Sequence, residues 1–307
     1  MAAPAHRLIA IVGPTASGKS AAALRLAELA GGEILSCDSL QVYRGLDIGS
    51  AKPTLGERRR VPHHLIDVVD VDDEFSAAAW LSLACAATLD ITARGRVPIL
   101  AGGTGLYLRA LTKGLFDGPA RDEDLRLRLE RLAARYGRAR VHRLLHAVDT
   151  EAAARIAPTD LVRIVRAIEV FRATRQPLSS HHRATAPALP DHDIVVLGIA
   201  PPRERLLGDV ERRTQAMLRA GLLSEVRGLL DRGLADTLRP LQAIGYRQAV
   251  DVLRGRAPEA GLQRAIVTAT MQYAKRQRTW FRHQAEVRWF EDGTSLVEAA
   301  RLLVERP

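Results

Sequence analysis

Gly13-Pro14-Thr15-Ala16-Ser17-Gly18-Lys19-Ser20 is the stretch that decides the fold, because it fits the phosphate-loop pattern G-x-x-x-x-G-K-[ST] in full. It follows the apolar run Leu8–Val12, typical of a buried parallel strand, and precedes the alanine-rich segment Ala21–Ala30, typical of a helix. In this setting successive backbone amides point at phosphate oxygens, and the helix N-terminus adds partial positive charge. We predict that Lys19 reaches the terminal phosphate of a di- or triphosphate and that Ser20 offers its hydroxyl to Mg²⁺.

Short apolar runs alternate with helical segments through the first part of the chain. Further strands are predicted at Glu33–Ser36, Leu65–Val69 and Val97–Ala101, with a helix over Ser76–Ala93 between the last two. Alternation of this kind is typical of the α/β class with a parallel sheet.

The pattern changes near Pro119, after which residues 121–183 show only helical patterns rich in Arg and Leu. A buried strand, Ile194–Ile199, follows, and Val287–Phe290 is predicted to be a last edge strand. Helices are predicted between them at Pro202–Leu218, Leu222–Arg232, Pro240–Leu253 and Pro258–Ala285. The simplest architecture is an α/β core of residues 1–118 and 191–307, interrupted by a mostly helical insertion domain at 119–190.

The composition of the chain narrows the classes of binding partner that we expect. Of 307 residues, 45 are Lys or Arg and 35 are Asp or Glu, so the formal net charge is +10. That excess favours polyanions, nucleic acid first, although an arginine-rich proteome would produce the same balance. Cys37 and Cys85 have neither metal-ligand nor disulfide spacing. With no run of the roughly 20 apolar residues that a membrane helix needs and no signal-peptide pattern, we expect a cytoplasmic protein without a membrane partner.

A second cluster of polar residues is predicted beside the phosphate loop. Asp38 directly follows the second strand, and the loop Gly102–Tyr107, which contains Thr104, follows the strand Val97–Ala101. Open α/β sheets bind their ligands at the edge where such strands end. A carboxylate there can bind Mg²⁺ through water or accept a proton from a nucleophile. Asp38 alone could be a helix N-cap and Thr104 a turn residue or cap, but their joint placement opposite a phosphate loop favours a functional role.

Together with segments farther along the chain, these motifs resemble the bacterial tRNA isopentenyltransferase family, also called tRNA dimethylallyltransferases. The resemblance covers almost the whole chain, with the motifs in the family's order and at its spacing. The matching segments are Gly13–Ser20, Asp38–Tyr43, Gly49–Pro53, Gly102–Tyr107, Arg163–Val170, Gly245–Gln248 and Tyr273–Phe281.

The resemblance implies a P-loop NTPase-like core related to small-molecule kinases, whose helical insertion clasps the anticodon stem-loop of tRNA. It implies dimethylallyl diphosphate as donor, Mg²⁺ as cofactor and a monomeric enzyme. The acceptor would be the exocyclic N6 amine of adenosine 37, beside the anticodon. By matching position, Asp38 would take the proton of the amine, Thr104 would bond the bridging oxygen of the diphosphate, and Lys19 would act on the leaving group.

The resemblance also implies two sets of binding residues. Those for the diphosphate are Gly13, Thr15, Ala16, Ser17, Gly18, Lys19 and Ser20. Those for tRNA are Asp38, Ser39, Leu40, Gln41, Thr104, Arg126, Val162, Arg163, Ile164, Val165, Arg166, Gln242, Ala243, Ile244, Gly245, Tyr246 and Arg247.

Two segments keep alternative interpretations open. The basic and aromatic residues of 273–282 could serve tRNA, or they could form an amphipathic helix whose aromatic side chains pack in the core. Gly245 could be a glycine inside a helix that allows close packing. The pair His63-His64 is assigned no role, because adjacent side chains point in different directions. The pair His181-His182 is assigned none because it lies in a polar, proline-flanked stretch typical of a solvated loop.

Three other functions compete with the transferase hypothesis. A small-molecule or nucleotide kinase would share the phosphate loop and the carboxylate, but it leaves the basic helical insertion unexplained. An adenylate isopentenyltransferase of the cytokinin type would share the core but lack the extended tRNA clasp. An RNA-binding switch driven by nucleotide hydrolysis would be favoured if tRNA binding depended on the nucleotide state.

Overall fold

The computed structural model describes residues 6–116 and 118–305. Its sheet consists of the strands β1 (His6–Val12), β2 (Glu33–Cys37), β3 (His63–His64), β4 (Pro98–Gly102), β5 (His192–Ile199) and β6 (Arg288–Phe290). They are arranged in the order β3-β2-β4-β1-β5-β6, and every neighbouring pair is parallel. The α/β class with a parallel sheet is therefore confirmed.

The register of the central strands places the following loops at one edge. Val12, the last residue of β1, pairs with Gly102 at the end of β4, and Gly102 pairs in turn with Cys37 at the end of β2. The three strands thus end at the same level. The phosphate loop, the Asp38 loop and the Thr104 loop all start from this common edge.

Helices cover both faces of the sheet. The first helices along the chain are α1 (Lys19–Ala30), α2 (Leu55–Arg60), α3 (Ala77–Ala93) and α4 (Gly105–Lys113). Alternate residues of β1 enter two apolar cores, Leu8 on one face and Ile9 on the other, as the period of a strand requires. Because both faces are covered, Leu8–Val12 is a continuous apolar run.

A separate helical unit is formed by residues 113–188, while the remaining described residues form the unit that contains the sheet. The sequence predicted the insertion at 119–190. The helices of the smaller unit are α5 (Glu123–Tyr136), α6 (Arg138–Val148), α7 (Thr150–Arg155), α8 (Leu161–Thr174) and α9 (Leu178–Arg183). Leu129, Val141, Leu145 and Ile164 lie in its own apolar core.

Among the described residues after 188, the sheet unit contains five more α-helices. They are α10 (Arg203–Arg219), α11 (Leu222–Asp231), α12 (Tyr246–Leu253), α13 (Leu262–Gln284) and α14 (Gly293–Glu305). The helix α14, which packs in the second apolar core through Leu296, is not among the predicted helices. None of the described helices is long and apolar enough to cross a membrane.

The predicted strand Leu65–Val69 is wrong. The strand at this place is the two-residue β3, and Leu65 and Asp67 that follow it have φ angles of 64° and 56°. A residue whose backbone lies in the left-handed region cannot continue a strand. The buried Lys52 explains the departure, because its ammonium group lies 2.6 Å from the Asp67 carboxylate and draws that part of the chain inward.

The predicted continuous helix Pro240–Leu253 is also wrong. A 3₁₀ turn covers Arg239–Gln242, and α12 begins only at Tyr246. Gly245 stands between them with a φ of 92°, so it caps a helix and does not lie inside one. The glycine serves as a break, after which the Tyr246 side chain is fully buried.

Candidate active site

The phosphate loop curls through three residues with positive φ: Gly13 at 144°, Ala16 at 64° and Gly18 at 89°. Gly13 also has no room for a side chain, because a methyl group there would overlap the carbonyl oxygen of Ile199. Gly18 is the N-cap of α1 and has no side chain to cap it. The first amides of the helix are therefore available to an anion, as the sequence predicted.

A cavity of about 540 Å³ lies against this loop, and Ser17, Lys19 and Ser20 line it. The Ser17 hydroxyl is buried and has no hydrogen-bond partner among the described residues. A buried hydroxyl without a partner costs on the order of 1–3 kcal/mol. A phosphate oxygen in the cavity would remove that cost, so the observation fits an anionic ligand.

Two cations meet at the phosphate loop. Burial, with a smaller contribution from the charge of Arg213, lowers the pKa of Lys19 to about 7. Arg213 extends from α10, donates a hydrogen bond of 2.9 Å to the Thr15 hydroxyl and lines the same cavity. Burial also lowers the pKa of the Arg213 guanidinium. Neighbouring desolvated cations are unfavourable until an anion lies between them, so this arrangement also fits a diphosphate.

Arg213 is not among the residues predicted from the sequence, because α10 carries several arginines in a similar pattern. A helical signal was nevertheless present. Arg213 comes three residues after the buried Val210 and directly before the buried Thr214, so it lies next to the face of α10 that packs inward.

The Asp38 and Thr104 loops are in direct contact. The Ser39 amide donates to the Thr104 hydroxyl at 3.1 Å, and the Thr104 amide donates to the Cys37 carbonyl at 3.1 Å. Asp38 accepts the Leu40 amide at 2.8 Å and is followed by turns, so it is not a helix N-cap. Thr104 does precede α4, but its hydroxyl serves the neighbouring loop.

The charge of the Asp38 carboxylate affects the pKa values of both cations at the phosphate loop. It raises the pKa of Lys19 and that of Arg213, opposing the larger effect of burial in both cases. Burial, with a smaller contribution from Asp38, raises the pKa of Tyr273 on α13 to about 12. The three loops that the sequence placed at one edge therefore converge on a shared electrostatic environment.

The segment 273–282 lies entirely on α13 and follows the amphipathic alternative in part. Phe281 is buried, Trp280 packs against Gly105, and Lys275 and Arg276 are exposed. A methyl group on Gly105 would overlap the Trp280 ring, so the glycine allows α4 to approach α13. The aromatic residues stabilise the core next to Thr104, and the exposed cations remain available to a polyanion.

The helical unit presents only some of its predicted tRNA contacts. Val162 and Arg163 are exposed, whereas Ile164 and Val165 are buried in the core of the unit. The side chains of Ile164 and Val165 point inward because successive residues of a helix point in different directions, and contact of this segment with tRNA stays a prediction.

Arg126 and Arg166, two more predicted tRNA contacts, hold the buried carboxylate of Glu169. Arg126 binds it with two hydrogen bonds of 2.8 and 2.9 Å, and Arg166 adds one of 2.8 Å. Burial raises the pKa of Glu169, but these bonds and one from the Asp122 amide outweigh it, so the pKa lies at about 2. In this structure both guanidinium groups therefore have a structural role.

The remaining predicted tRNA contacts also divide by exposure. Ser39, Gln242 and Arg247 are exposed, whereas Gly245 and Tyr246 are buried. Leu40, Gln41, Ala243 and Ile244 are half-buried. The Gln41 side-chain amide bonds the carbonyl of Ala51 at 3.2 Å, which connects the Asp38 loop to the following turn.

Comparison with known proteins adds independent findings. A family model described as IPP transferase matches residues 41–284. The tRNA dimethylallyltransferase of Geobacter metallireducens is 50% identical over 285 residues, which are 93% of this chain and 92% of that protein. The solved tRNA isopentenylpyrophosphate transferase of Bacillus halodurans is 38% identical, with a TM-score of 0.71, over 97% of this chain and 95% of that chain.

The structure of a eukaryotic dimethylallyltransferase acting on tRNA has a TM-score of 0.78 at 24% identity, over 99% of this chain and 81% of that one. At that identity the likeness concerns the fold alone. Together, the solved structures confirm the P-loop-like parallel core.

Proposed function

The chain belongs to the IPP transferase family, and we propose that it moves the dimethylallyl group of dimethylallyl diphosphate onto the N6 amine of adenosine 37 in tRNA. The observation that carries the proposal is the convergence of three loops at one sheet edge. One of them offers amides and Lys19 to a diphosphate. The second carries Asp38, whose charge raises the pKa of Lys19, and the third carries Thr104, whose hydroxyl accepts the Ser39 amide of the second loop.

The leaving group would be stabilised at the phosphate loop. An allylic diphosphate ionises readily, so positive charge develops on the dimethylallyl carbons and negative charge on the departing diphosphate. Lys19, Arg213 and the amides at the start of α1 border the cavity and would stabilise that negative charge. The carbon–oxygen bond breaks with its electron pair going to the diphosphate, while the N6 nitrogen forms the new bond to carbon.

Asp38 would take the proton that N6 loses as the new bond forms. The hydrogen bond from the Leu40 amide orients its carboxylate. The Thr104 hydroxyl already accepts the Ser39 amide, so its own hydrogen is free to donate to the bridging oxygen of the diphosphate. A hydrogen bond to such a charged group contributes on the order of 1.5–3 kcal/mol.

Mg²⁺ is proposed as the cofactor, held mainly by the diphosphate. The described residues contain no cluster of three or more His, Cys, Asp or Glu side chains suited to a metal ion. Mg²⁺ bound with phosphates needs few protein ligands and keeps several waters. The Ser20 hydroxyl, an oxygen donor that lines the cavity, fits this coordination, and the ion would neutralise charge on the leaving group.

tRNA binding would combine extraction of the target base with phosphate contacts to the stem. The exposed Arg163 and Arg247 are the predicted contact residues best placed for phosphates, and we propose that the helical unit contributes to a clasp on the anticodon stem-loop. The net charge of +10 supports this. A monomer acting in the cytoplasm is the corresponding proposal for assembly and location.

Nucleoside analysis of modified tRNA tests the proposal. The purified chain is incubated with Mg²⁺, dimethylallyl diphosphate and unmodified tRNA, and the modified position is mapped by mass spectrometry of tRNA fragments. We expect isopentenyladenosine at position 37 and one diphosphate released for each transfer. Its absence from every tRNA tried would remove the proposal. ATP turnover with a small acceptor would support a kinase, and prenylation of free AMP would support the adenylate-type transferase.

A further inference from the structure

A buried glutamine on α13 lies between the phosphate loop and the Thr104 loop. The Thr15 amide donates to Gln277 Oε1 at 2.9 Å, and Gln277 Nε2 donates to the Gly103 carbonyl at 2.9 Å. The side chain is therefore bonded at both ends of its amide group. Gln277 is 7% exposed, so water competes little for either bond.

The surroundings of Gln277 hold it in place. Ala274 and Phe281, three residues before and four residues after it, are both buried. They fix this face of α13 against the sheet unit. Gly103 comes so close that a methyl group there would overlap Gln277 Nε2. The approach depends on a glycine at 103, and the bridging amide has little freedom to move.

Each end of the Gln277 side-chain amide, which bridges the two loops, is connected to residues proposed for one half of the reaction. At one end, the Thr15 hydroxyl accepts a hydrogen bond from the guanidinium of Arg213, a residue that lines the cavity proposed for the diphosphate. At the other end, Gly103 is directly followed by Thr104, whose hydroxyl accepts the amide next to Asp38. Hydrogen bonds and the backbone links between neighbouring residues thus connect Arg213, at the leaving-group end of the site, through Gln277 to the loop that carries the Asp38 carboxylate.

We propose that Gln277 is a positioning residue that fixes the spacing between the diphosphate-binding loop and the Thr104–Asp38 pair. The proposal rests on the proposed function and extends it to a residue outside the reacting groups. Displacing reacting groups by about 1 Å can cost on the order of a hundredfold in rate. Loss of the bridge should therefore lower kcat much more than it raises KM for either substrate.

Gln277→Met tests this directly, because Met has a similar length but makes neither hydrogen bond. We expect kcat to fall about 10- to 100-fold, with each KM within about threefold of the wild-type value. The matched control is Thr88→Val in α3, which removes the buried hydrogen bond from Thr88 to the Ala84 carbonyl. It should lower the Tm without changing kcat.

Gln277→Glu supplies a readout that a purely structural role would not produce. Its carboxyl can still accept the Thr15 amide, but it can donate to the Gly103 carbonyl only when protonated. Burial beside a carbonyl raises the pKa of a carboxyl group. The ratio of variant to wild-type kcat should therefore rise as the pH is lowered from about 8 to about 6. A pH-independent ratio would count against the proposal.

Hydrogen exchange separates this proposal from the proposed function, because it needs no activity. In the full chain, the phosphate-loop peptide that contains Thr15 should exchange faster in Gln277→Met than in the wild type or in Thr88→Val. Unchanged exchange, or wild-type kcat in Gln277→Met, would overturn the role of Gln277. If the wild type formed no isopentenyladenosine, the proposed function would fail, and the exchange result would still decide whether the bridge positions the loop.

Discussion

The amide of Ser39 donates a hydrogen bond of 3.1 Å to the hydroxyl of Thr104. The two residues follow strands β2 and β4, which are neighbours in the sheet. The bond therefore joins two loops that are far apart in the sequence, and it orients the threonine hydroxyl by using it as an acceptor. Its hydrogen remains for the ligand.

Thr104 provides the first prediction. Thr104→Val removes the hydroxyl at nearly constant volume, so the loop contact and the proposed bond to the bridging oxygen are both lost. We expect kcat to fall about 10- to 100-fold, since a hydrogen bond to charge contributes on the order of 1.5–3 kcal/mol. Thr104→Ser keeps the hydroxyl and should retain most of the rate. Equal rates for the Val and Ser variants, measured by steady-state transfer, would contradict the assignment.

The lowered pKa of Lys19 predicts how the binding of dimethylallyl diphosphate depends on pH. This pKa is lowered to about 7 in the free protein, chiefly by burial, and a bound diphosphate would raise it again. Binding above pH 7 must then be accompanied by proton uptake, so the Kd for dimethylallyl diphosphate should increase up to about tenfold per pH unit. Calorimetry in buffers of different ionisation enthalpy measures this uptake. Lys19→Arg, which stays protonated, should lose the pH dependence. A flat wild-type profile between about pH 7 and 9 would argue against it.

Glu225 predicts a selective effect on tRNA. Its carboxylate accepts the amides of Asp47, Ile48 and Gly49 at 2.7 to 3.3 Å, and the Tyr246 hydroxyl at 2.8 Å. It thereby connects the turn that Gln41 bonds with the start of α12. Gln41 itself is a predicted tRNA contact, as are Tyr246 and Arg247 at the start of α12. Glu225→Ala leaves these donors without their partner.

We expect Glu225→Ala to weaken tRNA binding about 5- to 30-fold, consistent with the loss of 1–2 kcal/mol, and to leave the KM for dimethylallyl diphosphate unchanged. Filter binding with an anticodon stem-loop measures the first quantity. Glu298→Gln, an exposed substitution on α14, is the control. A loss of donor affinity equal to the loss of tRNA affinity would show that Glu225 acts on the whole site.

The ion pairs of Glu169 are predicted to stabilise the helical unit against unfolding. The Glu169 side chain is 1% exposed and binds Arg126 and Arg166, and removing one partner of a buried ion pair costs about 3–5 kcal/mol. Glu169→Ala should therefore unfold this unit at lower urea concentration. Because the folded pKa is about 2, below the usual value of 4.5 for a glutamate, the contribution of Glu169 is present above pH 4.5 and is lost as the pH falls toward 2. The difference between wild type and variant should shrink over that range. A constant difference would contradict the ion-pair account.

Local signals in the sequence were sufficient to predict the structure of the phosphate loop. The apolar strand, the two glycines and the helix after Lys19 all lie within about one supersecondary unit, so their pattern predicts the structure directly. Asp38 and Thr104 could be paired because parallel strands end at a common edge. That inference needed only the strand boundaries.

The other features depend on packing between distant residues. The strand predicted at Leu65–Val69 is replaced by a turn that Lys52 holds from outside the segment. Arg213 differs from the other arginines of α10 by the helix face on which it lies, and only the fold shows that this face meets the phosphate loop. Similarly, the segment match at Ile164 and Val165 gave no information about which side chains point inward.

The roles of Asp38 and Lys19 are tested most directly by single-turnover transfer with both substrates saturating. Asp38→Ala and Lys19→Ala should bind the anticodon stem-loop within about threefold of the wild type. Their transfer step should slow by about 10²- to 10⁴-fold, the range typical of a lost proton acceptor or charge stabiliser. Equal losses in tRNA affinity and in transfer rate would contradict the account, because they would place both side chains in RNA binding and leave the chemistry to other residues.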